Sequence, residues 1–171
     1  MISSVAPFPA ARALVFGDHV NADQLHPPAF FSLDPAHVQR GFLAGLADNA
    51  AGAVADPSWI IVAGRNFGCG SSRETTLQSL SQNGVRAVVA RSFGRIFQRS
   101  AIARGLPCWT IDPDAPDVDI ATHESVHLDP AARLLIRCDR GSSIALLPRD
   151  PYVEAVLAAG GLLAWLREPS R

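Results

Sequence analysis

Residues 64–74 read Gly-Arg-Asn-Phe-Gly-Cys-Gly-Ser-Ser-Arg-Glu, which crowds three glycines, two serines and two arginines into one short stretch. An apolar run over 59–63 leads into it, and a helical pattern over 72–83 leads out. Gly64, Gly68 and Gly70 let the backbone bend tightly and approach another group closely. Ser71 and Glu74 have the Ser-x-x-Glu spacing of a capping box, which predicts Ser71 as the N-cap of the helix. A helix start offers unpaired amide N–H groups and partial positive charge, and Arg73 adds a rigid fork of donors. Two hydroxyls, a guanidinium and open amides in one place are the chemistry of an oxyanion site.

Competing explanations for the stretch are weaker. Capping accounts for Ser71 and Glu74, but not for the glycines, Ser72 and Arg73. A Walker loop is excluded because no Gly-Lys-Ser/Thr ending follows. Gly68-Cys69-Gly70 begins a dinucleotide fingerprint, but Arg73 occupies the place of the third glycine, where it would obstruct close helix–strand packing.

The stretch resembles the small subunit of 3-isopropylmalate dehydratase and, more broadly, the swivelling C-terminal domain of the aconitase superfamily. Gly17-Asp18-His19-Val20-Asn21-Ala22-Asp23-Gln24-Leu25 resembles the family's opening segment, Gly-Asp-x-(Ile/Val)-x-Thr-Asp. Gly84-Val85-Arg86-Ala87-Val88-Val89-Ala90 and Ser92-Phe93-Gly94-Arg95-Ile96-Phe97 resemble its second block, followed by Gly105-Leu106-Pro107 and the tail Ala159-Gly160-Gly161-Leu162-Leu163. The likeness runs over residues 12–168.

That resemblance implies an α/β fold, a single swivelling β/β/α domain of the aconitase C-terminal type over 12–171 behind a loose N-terminal arm over 1–11. It implies a hydro-lyase or isomerase that moves a hydroxyl between adjacent carbons of a di- or tricarboxylic acid, as in the interconversion of 2- and 3-isopropylmalate. A large aconitase-like partner would carry a 4Fe-4S cluster, with no cofactor in this chain. Ser71 would be the base that takes the carbon-bound proton. Arg73 would bind a substrate carboxylate, with Ser72 in the same pocket and Asp23 at its margin. The chain departs from the family at Thr75, where histidine follows Ser-Arg-Glu, at Ala22, where threonine is usual, and at Leu25-His26-Pro27, which replaces two aliphatics before proline. The loop over 28–40 is where the family sets substrate choice, and its Phe30, Phe31 and Leu33 form either an apolar wall or ordinary core. A citraconate- or methylmalate-type substrate and a non-catalytic anion-binding accessory module therefore stay open beside the leading expectation.

Other patterns exclude chemistry. His123-Glu124-Ser125-Val126-His127 matches the His-Glu-x-x-His zinc motif, but its surroundings read as a strand. On a strand the two imidazoles stand about 13 Å apart and cannot share a metal. The aspartates of 112–119 are interrupted by Pro113 and Pro116 and read as a solvated turn. The 3 cysteines, Cys69, Cys108 and Cys138, are too few and too scattered for a disulfide framework or an ordinary iron–sulfur motif. Cys69 reads as a small apolar filler, and Cys108 and Cys138 as core.

The elements that must position these residues read as alternating strands and helices in a chain of 171 residues, a common domain size. Strands are expected at 12–16, 59–63, 85–90, 106–111, 126–128, 134–136 and 144–147. Helices are expected at 35–46, 72–83 and from Pro151, with Gly160-Gly161 interrupting the last. Phe93, Ile96, Phe97 and Ala101 have helical spacing and should share a buried face. Hydrophobic residues make up 48% and charged ones 18%, which suits a globular chain with an apolar face for a partner. A net charge of −1 gives no argument for nucleic acid or an acidic membrane. No apolar run is long enough to span a bilayer, and residues 1–10 lack the pattern of a secretory signal, so a cytoplasmic location is expected.

Overall fold

Four parallel strands and three antiparallel ones make one sheet in the order β4-β3-β2-β1-β5-β6-β7. The computed structural model describes residues 9–46, 58–71, 73–117 and 119–167. The parallel half consists of β1 (Ala11–Phe16), β2 (Trp59–Ala63), β3 (Val85–Ala90) and β4 (Cys108–Thr110). β2 is buried along its whole length, as expected of a central strand covered on both faces. β5 (Ser125–Asp129), β6 (Leu134–Arg137) and β7 (Ser143–Ala145) continue antiparallel from the other side of β1. Along β5 and β6 buried and half-buried residues alternate, as in strands with one covered face.

The two ends of the sheet meet. Ile111 pairs with Leu146, Asp112 N–H donates to the Ala145 carbonyl at 3.0 Å, and Leu147 N–H donates to the Thr110 carbonyl at 2.8 Å. The closed sheet encloses Ile60, Val62, Val89, Trp109, Val126, Leu128, Leu135 and Ile144. On its outer face, helices bury a second core with Leu14, Ile61 and Val88. α3 (Glu74–Gln82) and α4 (Arg95–Ala103) are the crossovers between parallel strands; Leu77, Leu80, Phe97 and Ala101 point to the sheet. α5 (Pro151–Ala158) starts with Pro151 after the N-cap Asp150, and Gly160-Gly161 separate it from α6 (Leu162–Arg167). Two short helices, α1 (Ala22–Leu25) and α2 (Pro35–Arg40), flank a 3-10 turn at Pro28–Phe30. Among the described residues no helix is long and apolar enough to cross a membrane.

The fold is the expected α/β arrangement, with local corrections. The helix expected over 35–46 stops at Arg40. Its successors turn so that Leu43, at φ 55°, can donate to the Leu25 carbonyl at 2.8 Å, which ties the loop to α1. Ile96 is 60% exposed, because Phe97 and Ala101 alone form the buried stripe of α4. Cys138 is exposed in the turn after β6, while Cys108 is core as expected. Of the arm expected over 1–11, residues 1–8 lie outside the described residues, and Ala11 already belongs to β1. His127 lies in β5 and His123 in the turn before it at φ 71°, so the zinc-motif look-alike is a turn leading into a strand rather than a helix. Asp117 and Asp119 pair with Arg91 and Arg140 at 3.0 and 3.3 Å.

Candidate active site

β1 and β2 run side by side and end together, so the turns that leave them lie against one another. His19 N–H donates to the Arg65 carbonyl at 2.7 Å, Gly68 N–H to Val20 at 2.8 Å, and Ala22 N–H to Cys69 at 2.9 Å. The Asp18 carboxylate accepts from Arg65 N–H at 2.6 Å. Gly64 must lack a side chain, since a Cβ there would fall 2.0 Å from Asp18 Oδ1. Gly68 and Gly70 have φ of +72° and +85°, which L side chains rarely adopt. A Cβ at Gly70 would also sit 2.9 Å from Asn21 Nδ2. Cys69 is half-buried, with its thiol 3.5 Å from the His19 carbonyl oxygen.

This joint places the expected site residues. Asn21 and Cys69 pair as a bridge, and Asp23 and Ser71 each follow two positions later. Asn21 caps α1 by accepting from Asp23 N–H at 2.8 Å, while Gln24 reaches back to Asn21 N–H at 2.8 Å. Oδ1 of Asp23 is sheltered and has no hydrogen-bond partner among the described residues. Ser71 and Arg73 are exposed, and neither side chain makes a hydrogen bond or ion pair among the described residues. The guanidinium carbon of Arg73 lies 4.8 Å from the centre of the Phe31 ring. Ser72 lies outside the described residues.

The capping expectation is corrected. α3 begins at Glu74, its N-cap is Arg73, and no side chain caps it. Glu74 instead bonds Arg104 at the end of α4, Nε to Oε1 at 2.6 Å. Ser71 therefore stands two residues before the N-cap rather than at it, and its hydroxyl is not used as a cap. The capping box that forms is Asn21 with Gln24, a pattern present in the sequence but overshadowed by Ser71 and Glu74.

The loop after α1 reaches the same place. Phe30 and Phe31 are half-buried against His26, whereas Leu33 is fully exposed and belongs to no core. His26, in the Leu25-His26-Pro27 segment that departs from the family's aliphatics before proline, is fully buried. Burial pushes its imidazole below the ordinary histidine value, partly offset by the bond to Val38, so the ring is neutral at pH 7. Thr75, in the position of the family's histidine, is half-buried, and its hydroxyl has no partner among the described residues. Behind the glycine turn, a cleft of about 500 Å³ is lined by Gly70, Cys69 and the cationic side chains of Arg95 and Arg99.

Residues 45–112 match the family described as the aconitase C-terminal domain. The 3-isopropylmalate dehydratase small subunit 2 of Methanopyrus kandleri is 44% identical, over 93% of each chain. The chain belongs to the isopropylmalate dehydratase small-subunit family. A methanogen homoaconitase small subunit from Methanothermobacter thermautotrophicus is 39% identical, over 89% of this chain and 86% of the relative. The crystal structure of a 3-isopropylmalate dehydratase protein from Methanocaldococcus jannaschii superposes with a TM-score of 0.82 at 33% identity, over 93% of each chain. The family thus covers the closed sheet, its helices and the joint between the two turns.

A 4Fe-4S cluster does not fit this chain. Cluster ligands are thiolates. Burial pushes the Cys108 thiol up to about 12, Cys138 is exposed beyond β6, and Cys69 is committed to the glycine turn. Among the described residues no three His, Cys, Asp or Glu side chains are grouped to hold a metal.

Proposed function

We propose that this chain is the small subunit of a heteromeric hydro-lyase that interconverts 2- and 3-isopropylmalate, or a closely related di- or tricarboxylic acid, by dehydration and rehydration. The observation that carries this reading is the joint itself. Ser71 and Arg73 stand exposed and unpaired among the described residues, beside the segment that holds the sheltered, unpartnered carboxylate oxygen of Asp23. In this reading Arg73 binds a substrate carboxylate, with Ser72 beside it. The Ser71 oxygen takes the proton from the carbon next to the one that carries the hydroxyl. A serine oxygen becomes basic enough only when fixed dipoles and a permanent cation stabilise its anion in a site closed to water. The uncapped start of α3 and the Arg73 guanidinium supply that field. The exposed face would be closed by a large aconitase-like subunit, to which we assign the 4Fe-4S cluster as Lewis acid for the departing hydroxyl. A cytoplasmic location suits such an enzyme.

The homoaconitase small subunit among the relatives favours a second reading within the same reaction class, in which the acid is a longer tricarboxylate. A panel decides between them. The chain is reconstituted with its large subunit and offered isopropylmalate, homocitrate-type acids, citraconate and methylmalate. Turnover confined to isopropylmalate supports the first reading, and absence of turnover on every acid overturns both. Ser71→Ala should leave assembly intact and lower kcat by at least about 100-fold, the scale of a positioned base; full activity removes Ser71 from that role.

A further inference from the structure

His26 has no part in the chemistry above, yet it is built into the wall of the site. Its side chain is fully buried. Nε2 lies 3.0 Å from the Val38 carbonyl oxygen, which fixes the ring's rotation, and Nδ1 has no partner among the described residues. Gly41 makes the space: a Cβ there would fall 2.5 Å from Cδ2 of His26. The imidazole stacks on Phe31 with ring centres 5.5 Å apart and planes inclined by 21°, and Phe30 lies tilted at 6.3 Å. Phe31 is also the ring over which the Arg73 guanidinium carbon sits, at 4.8 Å. A contact chain therefore runs from the buried backbone at Val38 through His26 and Phe31 to an exposed cation.

An exposed arginine with no ionic partner samples many rotamers, and the entropy lost when it grips a ligand opposes binding. A ring face beneath the guanidinium removes part of that freedom beforehand, because the negative face of the ring attracts the cation. The ring can do this only if it is itself held. Phe31 is half-buried on a loop, so its orientation rests on the flat surface below it. An aliphatic side chain at position 26 would fill the volume without offering that surface.

We infer that His26 is a positioning residue for Arg73, acting through the Phe31 ring to preset the guanidinium for a substrate carboxylate. This rests on the reading of Arg73 as the carboxylate-binding residue. His26 does not touch substrate, so its loss shows in binding rather than in the proton transfer.

The test uses the reconstituted heteromeric enzyme with 2-isopropylmalate, or the acid that the panel selects. His26→Leu should raise KM about three- to tenfold, the span of a partly desolvated cation–ring contact, and leave kcat within about twofold. His26→Phe, which keeps a flat ring but not the Val38 bond, should restore KM to the wild-type value. In an Arg73→Ala background His26→Leu should raise KM no further. Phe31→Leu should copy His26→Leu; its position is half-buried, so it carries the test if the buried variant fails to fold. An unchanged KM in both His26→Leu and Phe31→Leu, with Arg73→Ala still raising KM, overturns the positioning role alone. An equal effect of His26→Phe and His26→Leu also overturns it. An unchanged KM in Arg73→Ala overturns the carboxylate reading of Arg73, and the positioning role falls with it.

Discussion

Glu124 and Arg137 clasp each other where β5 meets the preceding turn, with Nε to Oε1 at 2.6 Å and Nη2 to Oε2 at 3.0 Å. Both side chains are nearly covered, and the hydrogen bonds from Arg137 hold the Glu124 carboxyl below its ordinary value of 4.5 despite the opposing effect of burial. A depressed folded-state pKa means stabilisation that is present above the unfolded value and is lost as pH falls through the folded one. Glu124→Gln should therefore lower Tm at neutral pH, and the difference from wild type should shrink once the pH falls well below 4.5. Thermal unfolding at both pH values checks this, and a constant difference would contradict it. The same pair shows how residues hide their roles. Glu124 also stands in the zinc-motif look-alike between His123 and His127, and only the strand context separates its structural role from that pattern. At the joint, by contrast, Gly64 and Gly68 are legible because glycine answers a local need there: a close approach and a bend. His26 was not legible, because its role depends on Gly41, Phe31 and Val38, which only the folded loop brings round it.

Among the elements, the turn between β2 and α3 is the most constrained. Gly68 combines a φ of +72° with the Phe97 ring, whose Cγ would lie 2.3 Å from an added Cβ. Gly141 has a similar φ of +63°, with nothing within 4 Å. Gly141→Ala should thus lose only the conformational strain, about 1–2 kcal/mol, whereas Gly68→Ala adds overpacking and should lose roughly 2–4 kcal/mol. Urea unfolding of the two variants separates the terms, and equal losses would show that Phe97 yields freely. Strands and crossovers were readable because β-branched runs and the Leu77–Leu80 and Phe97–Ala101 spacings are local signals. Boundaries were less so. α3 starts later than Ser-x-x-Glu predicts because Glu74 bonds Arg104, a residue distant in sequence, instead of closing a capping box. The helix after Pro35 is shorter than its periodicity predicts because the bond from Leu43 N–H to the Leu25 carbonyl is invisible to periodicity.

For the whole molecule, stability depends on two cores divided by one sheet. Leu135 lies fully buried inside the closed sheet, while Leu163 on α6 is 70% exposed. Leu135→Ala should lose about 2–5 kcal/mol by emptying part of that interior, and Leu163→Ala should stay within about 0.5 kcal/mol. Denaturant midpoints of the two variants measure this, and similar losses would argue against a sealed interior. The α/β class followed from the alternating elements, but the meeting of Ile111 with Leu146 did not, because nothing in either short segment names its partner.

That meeting constrains how another chain can attach. Among the described residues, a sheet bent round until its ends join offers no long row of bare amides and carbonyls for a foreign strand to zip onto. A second polypeptide must therefore read this surface through side chains and loops, so recognition rests on their shape and charge rather than on backbone pairing.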